Sequence, residues 1–504
     1  MAASLLSLLC SSFSLDTARN VRVLTGIPPS PSGCIPFSSG RSTNRPSRIL
    51  ATSSCNGVAG GIDREAAARD LLEWMASKGV AEPGGVEVRR GELGLGLFAK
   101  RSVSKNQEVV SIPKTLWMDV DTVRRSEIGE CCAGLRPWIA VALYLLHEKA
   151  KPHSDWSAYI RVLPRTLDSP LFWSEEELAE LKGTQLLSSI NGFKEFLKRE
   201  YDKVMTEVIE PRPDVFDRSL YTLEAFTWAF GILRSRTFPP LIGDNLALVP
   251  LADFVNHGFG LTNEDPYWHV KSAGVFARQE TLTLQAAANC AEKQEVLMQY
   301  GKKKGNAQLA TDYGFVDSDE KNNRDSFTLT LQVSLSERFA DDKVDIAQMA
   351  GLDSTAYFNL YRNQGPPEDM IAYLRLIALF GSDSFLLEAL FRNTVWDHLR
   401  LPISRENEEA ICEAMIEGCR ATLREYSSTI DEDTMLLNSS ELSTRKKMAV
   451  VVRLGEKRIL QEQLQWFETH LADLDRLEFY AERRLRDLGL LDDKGNMTPW
   501  VFKS

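Results

Sequence analysis

Leu248-Val249-Pro250-Leu251-Ala252-Asp253-Phe254-Val255-Asn256-His257 is an apolar run that breaks into a polar pair, the pattern of a strand ending where a turn begins. Backbone amide and carbonyl groups are free at such a break. An Asn-His pair there can offer main-chain hydrogen bonds to the edge of an adenine while the imidazole packs beside it. Taken alone, the pair also fits a turn whose side chains cap their own backbone. Glu295-Val296-Leu297-Met298-Gln299-Tyr300 then reads as a strand ending in a tyrosine. Leu309-Ala310-Thr311-Asp312-Tyr313-Gly314-Phe315 closes the unit with an aromatic, a turn glycine and another aromatic.

Upstream, Gly91-Glu92-Leu93-Gly94-Leu95-Gly96-Leu97-Phe98-Ala99 is rich in glycine, which lets backbone approach a ligand closely. Part of it also fits G-x-G-x-x-[GA], the dinucleotide fingerprint. That reading fails on its surroundings. Val86-Glu87-Val88-Arg89-Arg90 is too short and too charged for a buried parallel strand, and residues 100–107 lack the apolar helical stripe that a phosphate-binding turn needs. A simple hairpin turn stays open beside the ligand-binding reading. The order glycine-rich opening, Asn-His, Tyr, Asp-Tyr-Gly-Phe resembles the SET-domain lysine methyltransferases, in which the Asn-His and C-terminal tyrosine segments pass through one another in a pseudoknot.

Length suggests two or three domains plus extensions, and composition a soluble globular protein: 504 residues, 43% hydrophobic and 26% charged. The formal net charge of −11 argues against a general nucleic-acid binder, because phosphate binding needs a basic surface. No apolar run reaches the roughly 18 residues that a membrane span requires. Residues 1–60 differ in kind, being rich in Ser, Ala, Gly and Pro, with Arg19, Arg22, Arg41, Arg45 and Arg48 against the single acid Asp16. They read as a transit peptide to the chloroplast stroma. The secretory alternative lacks a basic residue before the apolar residues 5–10. Cys131, Cys132, Cys290, Cys412 and Cys419 form no C-x-x-C pair, and His147, His153, His269, His398 and His470 have no ligand spacing, so no metal is expected. Those histidines read as surface or capping residues.

Past Phe315 the pattern changes. Phe327-Thr328-Leu329-Thr330-Leu331-Gln332-Val333 alternates at period two and predicts one half-buried strand. After it the spacing predicts helices only. Met370, Leu374, Ile377 and Phe380 share one face, Ile411, Met415, Cys419 and Leu423 a second, and Leu460, Leu464, Phe467, Leu471 and Leu474 a third.

Residues 156–164, Ser235-Arg236-Thr237-Phe238, Val249-Pro250-Leu251-Ala252-Asp253, Asp312-Tyr313-Gly314-Phe315 and the helical tail together resemble the plant Rubisco large-subunit methyltransferases, a family also described as chloroplast fructose-bisphosphate aldolase lysine methyltransferases. The likeness covers essentially everything after the presumed transit peptide. It implies an α+β fold: a split SET domain of small β-sheets with a pseudoknot and a helical insertion, followed by an all-helical C-terminal domain. The expected bounds are 1–60 for the transit peptide and linker, 61–316 for the SET domain with its insertion at about 165–225, and 317–325 for the connection. A helical substrate-binding domain would follow over 326–490, then a tail over 491–504.

The resemblance also implies S-adenosylmethionine as methyl donor and a protein as substrate. Methyl transfer to a lysine needs a neutral amine, yet at pH 7 only about one lysine in 2,500 is neutral given a pKa near 10.4. A narrow apolar channel disfavours the ammonium, and a sulfonium beside it lowers the lysine pKa further. What remains is alignment. By the resemblance, Tyr313 would orient the amine and Tyr300 would contact both lysine and cofactor region from the opposite side. Asn256 and His257 would bind the adenosine part, with Leu93, Gly94 and Leu95 contributing backbone. Arg236 would contact cofactor carboxylate or substrate, while Ser235 and Asp253 would present backbone carbonyls around the amine.

Three departures from members acting on Rubisco bear on the substrate. Leu93 stands where those members carry an acid, Pro240 replaces a basic position, and Pro266-Tyr267-Trp268 replaces His-Ala-Tyr. Trp268 can still wall a lysine stem. These changes favour aldolase over the Rubisco large subunit. A SET-like docking module without activity would be expected to lose Tyr300, Tyr313 or the Asn-His pair, and all are present. A chromatin enzyme would carry the zinc cysteines that this chain lacks. Oligomeric state, the target lysine and the number of methyl groups stay open at this level.

Overall fold

The computed structural model describes residues 22–24 and 64–492, apart from 82, 239–245, 262–266, 273–278, 320–323 and 440–441. Among these residues the strands are β1 (Arg22–Leu24), β2 (Val86–Gly91), β3 (Gly94–Ala99), β4 (Glu108–Pro113), β5 (Met118–Asp119), β6 (Thr237–Phe238), β7 (Ala247–Leu248), β8 (Asn256–His257), β9 (Trp268–Lys271), β10 (Thr281–Gln285), β11 (Glu295–Met298), β12 (Ser326–Gln332) and β13 (Thr355–Tyr361). They form four small sheets, ordered β2-β3-β11-β8, β4-β10-β9, β5-β7-β6 and β1-β12-β13.

The glycine-rich opening is a hairpin. β2 runs antiparallel to β3 with Gly91 opposite Gly94, and Gly94 takes φ +101°, which a side chain would resist. β11 then lies antiparallel to β3 on one side and parallel to β8 on the other, with Leu297 opposite Asn256 and Met298 opposite His257. Two segments about forty residues apart in sequence are thereby laid side by side.

Between β5 and β6 every regular element is helical, a span wider than residues 165–225. Helix Pro137–Ala150 starts on a proline and buries every residue from Ile139 to Glu148, so it runs through the middle of the core with no solvent face. Helix Gln185–Val204 starts at Thr184, whose hydroxyl accepts from the Leu187 amide at 3.2 Å. His147 is not on the surface. Its Nδ1 lies 3.0 Å from the Tyr221 hydroxyl and its Nε2 2.9 Å from Glu127 Oε1, inside a polar cluster that burial of the helix requires to be satisfied.

Two hydrophobic cores follow one another. The first takes side chains from Ala67 to Ala310 and the second begins at Phe327. Helix Thr444–Ala472, about 43 Å long at 1.5 Å per residue, serves both: Met448, Ala449 and Val452 belong to the first core, Ile459, Leu460, Leu464 and Phe467 to the second. The second unit is not helical throughout after β12. β13 pairs with β12 along its whole length, from Ser326 opposite Tyr361 to Gln332 opposite Thr355. Ala356, Phe358 and Leu360 are buried while Tyr357 and Tyr361 are exposed, the alternation of a strand covered on one face. Phe380 also departs from its expected helix face, because that helix ends at Ile377 and leaves the ring exposed; Leu474, past the end of the long helix, is buried in a 3₁₀ turn. β1 falls in the segment read as a transit peptide and pairs with the other edge of β12.

Polar contacts join the two units. The Gln185 side-chain amide donates to the Thr328 carbonyl at 2.7 Å and accepts from the Thr328 amide at 2.9 Å, as a neighbouring strand would. Asn306 and Asp325 close the connection, with the Asn306 amide 2.6 Å from Asp325 Oδ1; Gly455 of the long helix admits Asp325, since a Cβ there would lie 2.3 Å from Oδ2. Among the described residues no single helix is long and apolar enough to cross a membrane.

Candidate active site

The parallel contact of β8 and β11 builds the site. The backbone amide of Tyr300, just past β11, donates to His257 Nδ1 at 3.1 Å. That bond makes Nδ1 the acceptor and assigns the proton of a neutral ring to Nε2. Burial disfavours the imidazolium and brings the His257 pKa down to about 4. Around this neutral ring gather Phe259 at 4.7 Å, Tyr300 at 5.2 Å and Phe315 at 5.4 Å between centroids.

Tyr300 and Tyr313 face each other with ring centroids 4.6 Å apart. The Tyr300 hydroxyl donates to the Val255 carbonyl at 2.8 Å, and the Tyr313 hydroxyl reaches the Tyr300 carbonyl at 3.4 Å, a long and weak bond. Burial pushes both phenols well above the ordinary tyrosine range, so they stay protonated and keep oxygen lone pairs for an incoming N–H. Tyr313 ends the helix Asn306–Tyr313, which Gly314 terminates at φ +76°. A Cβ at Gly314 would stand 2.8 Å from the Ser169 amide, so the turn packs tightly against the helical insertion.

The preceding Asp312 is buried between two cations. Arg234 reaches it from helix Leu223–Arg236 with Nε 2.7 Å from Oδ1, and Lys304 pairs with Oδ2. Lys304 Nζ also sits 5.3 Å from the centre of the Tyr313 ring. Two elements therefore hold the tyrosine-bearing turn from its polar side.

A second cluster adjoins the phenols. Arg236 Nη1 donates to both the Asp253 carbonyl and Asp253 Oδ2 at 3.1 Å, and Tyr159 donates to the same Oδ2 at 3.0 Å. Burial raises the Asp253 pKa against the pull of Arg236. Burial alone would lower that of Arg236, and Asp253 together with Tyr159 and Tyr300 more than offsets it. Asp253 Oδ1 is buried with no hydrogen-bond partner. A buried carboxylate oxygen left without a donor is costly.

The family model described as Rubisco LSMT substrate-binding matches residues 334–460. Over 441 residues the chain is 45% identical to a chloroplastic [fructose-bisphosphate aldolase]-lysine N-methyltransferase of Arabidopsis thaliana, covering 86% of this chain and 90% of that one. The chain belongs to this methyltransferase family. It is likewise 45% identical over 434 residues to a chloroplastic ribulose-1,5-bisphosphate carboxylase/oxygenase large subunit N-methyltransferase of Nicotiana tabacum, with 86% and 88% covered. A crystal structure of the SET domain of LSMT bound to lysine and AdoHcy superposes with a TM-score of 0.78 at 42% identity, covering 86% of this chain and 98% of that one.

Within this family frame the structure brings Leu95, Asn256, His257, Tyr300 and Tyr313 together, and places Arg236 on Asp253 beside them. Leu93 is half-exposed at the tip of the hairpin, next to Gly94. The Ser235 hydroxyl bonds back to the Gly231 carbonyl at 2.8 Å and so is used within its own helix. Trp268, on β9, meets Phe238 edge-on at 5.9 Å. Pro240 and Pro266 lie outside the described residues. Four polar partners escaped the sequence reading: Tyr159, Arg234, Glu295 and Lys304. Each is a lone residue on an otherwise ordinary helix, strand or loop, and no spacing marks it.

The neutral state of His257 gives a measurable pH effect. With a folded pKa near 4 and an ordinary value of 6.5, the unfolded chain binds more protons between those limits, so this residue lowers stability as pH falls through that window. Glu456, raised to about 7 by burial, works in the opposite sense over an overlapping range, stabilising at low pH and losing that contribution as pH rises towards 7. Thermal melts of His257→Asn between pH 4 and 7 are expected to show a smaller loss of Tm on acidification than wild type. Parallel curves would contradict a neutral, buried His257.

Proposed function

We propose that this chain methylates the ε-amine of a lysine on chloroplast fructose-bisphosphate aldolase in the stroma, with the Rubisco large subunit as a second protein substrate. It is an S-adenosylmethionine-dependent protein-lysine N-methyltransferase. The observation that carries the reading is the pair of adjacent, protonated phenols of Tyr300 and Tyr313, their rings tilted by 40°, set against the neutral Asn256-His257 segment.

The site fits such a cofactor, since it combines a hairpin turn at Gly94, where a Cβ would meet nothing within 4 Å, with an uncharged imidazole. Bound S-adenosylmethionine supplies the electrophilic methyl group. Asn256 and His257 hold its adenosine part, with Leu93, Gly94 and Leu95 contributing backbone, and Arg236 meets its carboxylate or the substrate. Tyr313 accepts a hydrogen bond from the amine and turns its lone pair toward the methyl group, while Tyr300, tethered to Val255, limits the opposite side. Ser235 and Asp253 line the amine with carbonyls, and Trp268 walls the lysine stem. A narrow apolar channel disfavours the ammonium by desolvation and the sulfonium beside it lowers the lysine pKa further, so no basic side chain is needed to hold the amine neutral.

Preference for aldolase rests on Leu93, Pro240 and Pro266-Tyr267-Trp268. Incubating the purified chain with aldolase and with Rubisco separately, followed by mass spectrometry of both, is expected to find methylated lysine on aldolase first. Methylation confined to Rubisco would overturn the preference, and none on either the activity.

A further inference from the structure

We infer that Glu295 is a positioning residue for the cofactor: its carboxylate, with the Leu95 carbonyl, takes both N–H groups of Asn256 and leaves only the amide oxygen to face the ligand. This rests on the proposed function and names a residue that neither motif nor spacing marks. Asn256 Nδ2 donates to Glu295 Oε1 at 2.7 Å and to the Leu95 carbonyl at 3.1 Å. A primary amide has two N–H donors, and both are now committed to protein partners. The amide can no longer flip to offer a donor. Whatever the Asn256 side chain recognises must therefore bring an N–H of its own.

The backbone makes room for this arrangement. A Cβ on Gly96 would lie 2.0 Å from Glu295 Oε1 and 2.9 Å from Asn256 Nδ2, so glycine at this strand position is what allows the carboxylate to reach the amide. Glu295 opens β11 opposite Phe98, while Asn256 opens β8 opposite Leu297, so one sheet places carboxylate, amide and glycine on three adjacent strands. Burial raises the Glu295 pKa, with the nearby Glu92 raising it further and the Asn256 hydrogen bond and Arg89 lowering it. On S-adenosylmethionine two groups can supply the matching donor, the α-ammonium of the methionine end and the exocyclic amine of adenine.

The test uses binding of S-adenosylhomocysteine by calorimetry on the full chain, which separates this inference from its premise. Failure of wild type to bind overturns the premise. Given wild-type binding, Glu295→Ala is expected to weaken affinity about tenfold while Glu295→Gln, which keeps an acceptor, stays within threefold. In an Asn256→Ala background Glu295→Ala is expected to cost nothing more, because the two act as a unit. Full additivity, or unchanged affinity in Glu295→Ala, would overturn the inference. Should Glu295→Ala fail to fold, Gly96→Ala displaces the carboxylate without deleting it, and the same non-additivity with Asn256→Ala is expected. A deaminated analogue lacking the α-ammonium then distinguishes the sources: loss of the Glu295 effect assigns Asn256 to the ammonium, and its persistence assigns it to adenine.

Discussion

Tyr313→Phe is expected to lower kcat for lysine methylation about 100-fold, a loss of about 2.7 kcal/mol in transition-state stabilisation, with S-adenosylhomocysteine affinity within threefold of wild type. The ring is held by Tyr300 at 4.6 Å and Phe315 at 5.9 Å, and phenylalanine keeps both contacts. Only the hydroxyl goes. Its single protein bond, 3.4 Å to the Tyr300 carbonyl, is too long to matter for folding, so stability should move by less than about 0.5 kcal/mol. The effect belongs to orientation of the amine, where small misalignments are expensive. Tyr300→Phe should behave differently. Its hydroxyl ties the ring to the Val255 carbonyl next to Asn256, so losing it loosens the segment that holds the cofactor and should weaken binding as well as turnover. Single-turnover kinetics and calorimetry on both variants check the split. Unchanged kcat in Tyr313→Phe would remove the phenol from the reaction.

The contrast between these tyrosines shows what a sequence carries and what it hides. Asn256-His257, Tyr300 and Asp312-Tyr313-Gly314-Phe315 were legible because chemistry ties residue type to order along the chain, and the helical tail was legible from its periodicity. The partners that hold them were not. Asp312 looks like part of a motif, but what it does depends on Arg234 and Lys304, which arrive from a helix and a loop and carry no mark of it. Gly96 reads as a ligand-approach glycine, whereas in the fold it yields to Glu295. β13 was missed for another reason. Ala356-Tyr357-Phe358-Asn359-Leu360-Tyr361 does alternate, but three of its outward positions include two tyrosines, which blur apolar against polar until the sheet shows which face is covered. His147 was misplaced because one histidine on an apolar helix cannot announce Tyr221 and Glu127, which lie elsewhere in the chain.

Asp433→Ala is expected to cost about 3–5 kcal/mol of stability. Asp433, on helix Ile430–Asn438, is fully buried and accepts from Arg453 Nη2 at 2.6 Å, from Lys457 Nζ at 2.7 Å and from the Ser428 hydroxyl at 2.9 Å. Arg453 and Lys457 come from the long shared helix and are themselves buried. Removing the carboxylate strands two cations. Lys457 keeps the Ser428 and Thr429 carbonyls as acceptors, and Arg453 Nη1 keeps Glu180 on the first unit at 2.9 Å, so neither is left bare, but two buried positive charges would face one another without their counter-ion. Arg453→Met should cost less, because it deletes a cation with its hydrogen bonds and leaves Asp433 paired to Lys457. The order Asp433→Ala worse than Arg453→Met is the discriminating outcome, since each change loses five hydrogen bonds and counting them alone predicts equal costs. Guanidinium unfolding at pH 7 measures both. A loss below about 1 kcal/mol in Asp433→Ala, within the range of exposed ion pairs, would mean that water reaches this cluster and that the shared helix is held by its two apolar faces alone.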